Sequence, residues 1–158
     1  MKYVLSNFLL FFSLNAFSIN VVFINPSVPG TPFWDRVTAA ANAAANDLGI
    51  KLAVIYGKDN RIFNYETLST LLSKEKKPDY IIFSPYDGST ERSFSLLDKS
   101  KVKFVTLERT LHKKEQKLVG FPQEKHPFWL GEIYHDNQHV GELLIDTLVD
   151  ISVKKLKI

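Results

Sequence analysis

Short apolar runs alternate with segments of helical spacing, and this alternation constrains the fold more than any other feature of the sequence. The runs are rich in β-branched and aromatic residues and have the length of strands. They lie at 20–25, 51–56, 80–83, 102–107 and 130–134. Continuous apolar runs of this kind are typical of strands that are covered on both faces of a sheet.

The segments between these runs carry helix signals. Thr31-Pro32 is typical of an N-cap followed by proline at the first helical position, and Gly49 is a helix-ending glycine. Asn64 is the expected cap of a second helix, and Ser89 or Thr90 begins a third. Apolar residues recur at helical spacing in these segments: Val37, Ala41, Ala44 and Leu48, then Leu68, Leu71 and Leu72, then Phe94 and Leu97.

Two segments complete the order of elements. Residues 111–125 are polar without strong periodicity, so we expect a long loop there. Asp136 or Asn137 can cap a last helix. One face of that helix would carry Val140, Leu143, Leu144 and Leu148.

The whole pattern predicts an α/β fold with a doubly wound parallel sheet in a three-layer α/β/α arrangement. In such sheets a ligand binds at the carboxyl ends of the strands, where the loops gather. The predicted loops at that edge are 26–34, 57–64, 84–90, 108–111 and 135–138.

The N-terminus has the parts of a secretory signal peptide. Lys2 is the only charge before Asp35, an apolar run follows between Val4 and Leu14, and Ala16-Phe17-Ser18 supplies small residues for cleavage. The run is too short and too interrupted for a membrane span of about 20 residues. We therefore expect a signal peptide at 1–18, one lobe at 19–150 and a short tail at 151–158. A buried first strand or an uncleaved anchor are the alternatives.

Composition excludes several classes of function. Lys and Arg total 20 against 17 acids, and the net charge of +3 gives no argument for nucleic-acid binding. The absence of cysteine excludes disulfides, thiolate zinc sites and thiol nucleophiles. No glycine-rich phosphate loop and no GxSxG nucleophile motif is present, so we expect neither an enzyme nor a cofactor. His135 and His139 lack the further ligands of a zinc site, so no metal is expected.

Candidate binding residues follow the first and fourth predicted strands. The first loop holds Ser27 and Thr31 and leads into the adjacent rings Phe33 and Trp34. An aromatic plane can cover the apolar face of a sugar ring, and polar side chains can bind its hydroxyls. The alternative is that these rings pack the start of the helix.

Glu108-Arg109 directly follows the fourth strand. A carboxylate can accept hydrogen bonds from vicinal hydroxyls, and a guanidinium can donate two in a fork. A surface salt bridge is the alternative for this pair.

The stretch from Val21 to Val149 resembles the N-terminal part of the type 1 periplasmic sugar-binding proteins, the ribose- and galactose-binding group. The segments that carry the resemblance are 24–27 with 31–34, 47–49, 78–85, 108–109 and 134–141. The resemblance implies one lobe of a periplasmic binding protein-like I fold. It also implies that Phe33 and Trp34 stack on a sugar, that Ser27 and Thr31 are polar contacts, and that Glu108 with Arg109 binds hydroxyls.

Departures from that family's pattern concern the ligand and the length. Glu108 stands in place of the usual Asp, and Thr31 stands where the ribose-binding proteins have Asn, so the identity of the sugar is open. Family members have two lobes that close by a hinge, and only one is evident here. We therefore expect a truncated or fragmentary protein that binds ligand weakly on its own and exposes apolar surface.

The function implied is a secreted, periplasmic solute-binding protein that serves an ABC transporter permease or a membrane sensor kinase, with no nucleic-acid partner and membrane contact only through that partner. The alternative is the effector-binding domain of a lactose-repressor-type regulator, which shares the fold. That alternative requires an N-terminal helix-turn-helix, which residues 1–20 cannot form because they are apolar with one charge.

Overall fold

The computed structural model describes residues 18–108 and 111–156, so the predictions for residues 1–17, Arg109 and the last two residues lie outside its description. The strands are β1 (Asn20–Asn25), β2 (Lys51–Tyr56), β3 (Tyr80–Phe83), β4 (Lys103–Glu108) and β5 (Trp129–Tyr134). The helices are α1 (Pro32–Asp47), α2 (Arg61–Ser73), α3 (Thr90–Ser100), α4 (Lys113–Val119) and α5 (Asn137–Leu156).

The strands form one parallel sheet in the order β2-β1-β3-β4-β5, which confirms the predicted fold class. Phe23 pairs with Val54 on one side of β1 and with Ile82 on the other. The chain moves outward from β1 to β2 and then returns to β3, so β1 and β3 flank the point where the direction of winding reverses. In doubly wound sheets this is where ligands bind.

One face of the sheet carries the main core. Ile24, Ile81 and Phe104 are each fully buried there beneath α2, α3 and α4. The predicted apolar faces of α2 and α3 are confirmed. Their buried members are Leu68, Leu71, Leu72, Phe94 and Leu97. The indole of Trp129 closes this core at β5, where its N–H donates to the hydroxyl of Thr106 at 3.2 Å.

Helix α1 packs on the opposite face, and its predicted apolar face is confirmed in part. Trp34 is buried and Val37 and Ala41 are half-buried, whereas Leu48, which follows the helix, is 71% exposed. The Trp34 ring packs on Phe23 of β1, with centroids 6.3 Å apart, and so helps to set which side of the helix faces the sheet.

Two local predictions were wrong. Helix α2 begins at Arg61, because the side chain of Asn60 caps it by accepting from Ile62 N at 2.9 Å and Phe63 N at 3.2 Å. Asn64 is buried one turn inside instead. The expected loop at 111–125 contains the short helix α4, whose only buried residue is Val119. One apolar anchor on a polar helix leaves almost no periodic signal.

Helix α5 is capped as predicted, since the Asp136 carboxylate accepts from His139 N at 3.0 Å. The face predicted to pack is exposed, however: Val140 is 59% exposed, Leu144 58% and Leu148 55%. Within the described chain α5 does not cover the sheet, and its apolar side chains are left exposed. No helix in the two described ranges is long and apolar enough to span a bilayer.

Candidate ligand-binding site

A small cleft at the carboxyl edge of the sheet brings together the start of α1 and the ends of β4 and β5. Its volume is about 70 Å³. Its lining residues are Phe33, Trp34, Val37, Leu107, Glu108, Ile133, Tyr134 and His135. Two aromatic rings predicted from the first loop and a carboxylate predicted from the fourth strand therefore meet in one place.

The adjacent rings of Phe33 and Trp34 have different roles. Trp34 is only 9% exposed and packs on Phe23, so it serves mainly to fix α1 on the sheet. Phe33 is 47% exposed. Its ring meets the Trp34 ring edge-on, with centroids 5.1 Å apart at 85°, and lies 6.1 Å from the His135 ring. Phe33 is thus held from two sides while much of its surface faces solvent, which suits a contact with an apolar ligand face.

Glu108 ends β4 with a φ of 78°, in the left-handed region. This conformation costs a residue with a side chain about 1–2 kcal/mol, and such strain persists where the surrounding structure imposes it, often at ligand sites. Arg109, the predicted partner of Glu108, lies in the part of the chain that the structure does not describe.

Ser27 and Thr31 lie in a neighbouring network rather than in the cleft lining. The Ser27 and Thr31 hydroxyls are 2.9 Å apart, and Thr31 also donates to the carbonyl of Val28 at 2.9 Å. The Ser27 hydroxyl donates to the Asp59 carboxylate at 3.2 Å. Thr31 takes the N-cap position of α1 as predicted, but its hydroxyl makes no capping hydrogen bond. The hydrogen bonds of the Thr31 hydroxyl instead stabilise the loop that leads to Phe33 at the start of α1.

Sequence reasoning missed Asp59 and His135 as members of this region. Asp59 lies in a predicted loop, but nothing in its sequence context distinguishes it from other turn residues. The structure gives Lys58 and Asp59 consecutive left-handed conformations, with φ of 59° and 52°. That double turn brings the Asp59 carboxylate to Ser27. The sequence suggests for His135 only the role of a metal ligand. In the structure it precedes α5, and its ring flanks Phe33.

One carboxyl group next to the cleft in the sequence has a shifted pKa. Glu132, on β5 next to the cleft residue Ile133, has a pKa raised above its ordinary value of 4.5 because burial removes water from the carboxylate. A hydrogen bond from the backbone N–H of Leu111 partly offsets this rise. Among the residues that the structure describes, no three His, Asp or Glu side chains cluster closely enough to hold a metal ion.

Solved structures share this architecture. A periplasmic sugar-binding protein from Pseudomonas fluorescens matches 80% of the chain with a TM-score of 0.66 and 22% identity. A galactofuranose-binding protein matches 85% with a TM-score of 0.67 and 18% identity. A Brachyspira murdochii protein described as "ABC transporter, LacI family transcriptional regulator" matches 87% with a TM-score of 0.64 and 16% identity.

The chain has the fold of one lobe of the type 1 periplasmic sugar-binding proteins. It spans 35% of the length of the Pseudomonas protein, 41% of the galactofuranose-binding protein and 40% of the Brachyspira protein. The sequence matches no protein-family model and no curated protein. At these identities the fold is what the chain and these structures have in common.

Proposed function

We propose that this chain is the sugar-binding lobe of a periplasmic solute-binding protein, and that its carboxyl-edge cleft holds one edge of a monosaccharide. The observation that carries the proposal is the meeting of the half-exposed Phe33 ring with the Glu108 carboxylate in that cleft. A ring can cover the C–H face of a sugar, while a carboxylate accepts from its hydroxyls. Arg109 would add a forked donor beside Glu108.

The size of the cleft implies weak binding by this lobe alone. Pockets that bury a small molecule usually measure about 300–1,000 Å³, whereas this cleft measures about 70 Å³. Most of a sugar would remain in water, so its hydroxyls would keep their hydration and contribute little affinity. We propose millimolar dissociation constants, equivalent to about −4 kcal/mol, for the chain as it stands.

The partners follow from the same proposal. The sugar-binding and ABC-transporter descriptions of the similar structures support a role in delivering ligand to a transporter permease or a membrane sensor. The apolar N-terminal run supports export to the periplasm through a cleaved signal peptide at residues 1–18. Mass spectrometry of the exported product would test this, since cleavage predicts a chain that begins at Ile19. We also propose that the lobe is not an enzyme.

A second candidate function has one specific observation in its favour. The Brachyspira protein with the same fold is described as a LacI-family transcriptional regulator. An effector-binding domain of that type would use the same cleft but would stay inside the cell, so retention of residues 1–18 on a cytoplasmic product would favour it over the periplasmic assignment.

The binding proposal is tested by saturation-transfer NMR on the full chain with a panel of aldohexoses and aldopentoses. We expect signals from at least one sugar, and isothermal calorimetry should show no micromolar binding. Phe33→Ala should weaken binding by about 10-fold, as expected for loss of one aromatic contact. Phe121→Ala is the matched control, because Phe121 is 65% exposed but does not line the cleft.

Two results would overturn the proposal. One is the absence of a signal from every sugar in the panel. The other is an equal loss of signal in the Phe33 and Phe121 variants, which would place binding outside the cleft. A micromolar dissociation constant would contradict only the prediction of weak binding, which is based on the size of the cleft.

A further inference from the structure

An open groove lies at the amino edge of the sheet, opposite the candidate sugar cleft. Its volume is about 920 Å³, and it runs along the starts of β1, β2, β3 and β4. Five lysines line it: Lys51, Lys76, Lys77, Lys101 and Lys103. They come from three separate parts of the chain, 51, 76–77 and 101–103, which the fold brings together into one cationic surface, here called the lysine groove.

The charge of the lysine groove is almost uncompensated. Asp79 is the one carboxylate in its lining, and it already accepts from the backbone N–H of Asn20 at 2.7 Å and from the Asn20 amide at 3.3 Å. Each of the five lysines is exposed, and within the described ranges none forms an ion pair. Lys103 lies over the Tyr80 ring at 5.5 Å, so that ring is already covered by a cation.

The described chain also begins in this groove. Ser18 and Ile19 line it, and Ile19 is 43% exposed among the lysines. An exposed apolar side chain therefore lies within the cationic surface.

We propose that the lysine groove docks on the surface of an anionic phospholipid bilayer. Basic side chains around an exposed apolar residue suit a bilayer interface, where phosphates meet the start of the acyl chains. A bilayer offers an apolar contact to the exposed Ile19 side chain between the lysines, which the phosphates of a nucleic acid would not. The groove would face the membrane while the carboxyl-edge cleft, at the other end of the strands, faces away from it. This inference does not depend on the sugar proposal, because it uses no residue of the cleft.

The test is sedimentation of the exported chain, from which the proposed cleavage has removed residues 1–18, with two kinds of vesicle: phosphatidylcholine alone, and equal parts of phosphatidylglycerol and phosphatidylcholine. The measured quantity is the ratio of the two partition coefficients, which removes any binding that is independent of the charge of the lipid. The variant Lys51→Gln/Lys76→Gln/Lys77→Gln removes three groove cations. The control Lys113→Gln/Lys114→Gln/Lys117→Gln removes three exposed cations on α4 and gives the same net charge.

We expect the wild-type ratio to be well above one and to fall with added salt. A lysine near an anionic surface contributes about fivefold in affinity, so the groove variant should lower the ratio by roughly 100-fold. The control should lower it by less than about threefold, since its lysines do not line the groove and charges away from the bilayer surface are screened by salt. Equal losses in both variants would overturn the proposal, as would a wild-type ratio of one. So would binding of a DNA duplex that the groove variant loses while the vesicle ratio stays unchanged.

Discussion

The hydroxyl of Ser27 donates to the carboxylate of Asp59 at 3.2 Å, and this bond joins the loop after β1 to the loop after β2. Backbone bonds support it, since Gly57 N donates to the Asn25 carbonyl and Asp59 N donates to the Pro26 carbonyl at 2.8 Å. The loop that leads to Phe33 is therefore held by its neighbour, and the position of the candidate cleft depends on how closely the two loops approach.

Gly57 sets that approach, which gives the first prediction. A Cβ at this position would lie 3.0 Å from the Asn25 carbonyl oxygen and 3.2 Å from that of Pro26. Since both are backbone atoms, relief requires the loops to separate. Gly57→Ala should lower the free energy of unfolding by about 1–3 kcal/mol, the usual cost of overpacking, as measured by urea denaturation.

Gly131→Ala is the control for this prediction, because a Cβ at Gly131 of β5 meets no atom within 4 Å. Its free energy of unfolding should stay within about 0.5 kcal/mol of wild type. If the two alanine variants are equally stable, the close approach at Gly57 does not constrain the loops.

The sequence predicts the parts of this protein that depend on local pattern. The central strand β1 appears as an apolar run because it is buried on both faces of the sheet. The cap of α2 was placed at Asn64 rather than Asn60, because two asparagines four residues apart offer the same side chain and only the backbone geometry separates them. Local pattern also placed Phe33 and Glu108 at the carboxyl edge, since the topology brings the ends of parallel strands together.

Contacts between residues that are far apart in the sequence could not be predicted from it. The contact between Asp59 and Ser27 joins residues 32 positions apart in the sequence. It depends on two consecutive left-handed residues, Lys58 and Asp59, and neither residue type predicts that conformation. The lysine groove gathers residues as distant as Lys51 and Lys103. In the sequence Lys76 stands beside Glu75, whereas in the structure Asp79 is the one carboxylate that shares the groove lining with the lysines.

Glu132 gives a prediction on pH. Because its pKa is raised in the folded state, folding favours the protonated carboxyl. The stability that this contributes is fully present below pH 4.5, the ordinary pKa, and is lost as the pH rises through the folded-state pKa. Glu132→Gln keeps an acceptor for the Leu111 N–H and removes the buried charge, so it should raise the melting temperature at neutral pH.

The check is a series of thermal melts from acidic to neutral pH. The advantage of Glu132→Gln should shrink toward zero below pH 4.5, whereas Glu66→Gln, on the exposed side of α2, should follow wild type throughout. A constant advantage at every pH would show that packing of the amide, and not ionisation, causes the difference.

A buried polar pair links α3 to the segment before β5. His126 Nδ1 lies 2.6 Å from the Asp98 carboxylate, and the two side chains are 10% and 20% exposed. Asp98 also accepts from Phe128 N at 3.4 Å. Asp98→Ala would leave the imidazole and the N–H without this acceptor, which should cost about 1–3 kcal/mol of unfolding free energy.

The matched variant is Asp150→Ala, which removes an exposed aspartate that pairs with Lys154 at 3.3 Å along α5. Surface pairs of this kind contribute about 0–1 kcal/mol, so the melting temperature should change little. Similar losses in the two variants would mean that burial of the His126 pair does not increase its contribution.

The last prediction concerns the unequal contribution of the helices to stability. Leu97 of α3 is fully buried against the sheet, whereas Leu144 of α5 is 58% exposed. Leu97→Ala removes core contacts and leaves a cavity, so it should cost about 2–5 kcal/mol. Leu144→Ala removes almost no buried surface, so it should stay within about 0.5 kcal/mol of wild type. Urea denaturation of dilute protein measures both. A large loss in Leu144→Ala at low concentration would show that α5 packs on its own sheet in solution, and a loss that grows with protein concentration would show that a second copy covers it.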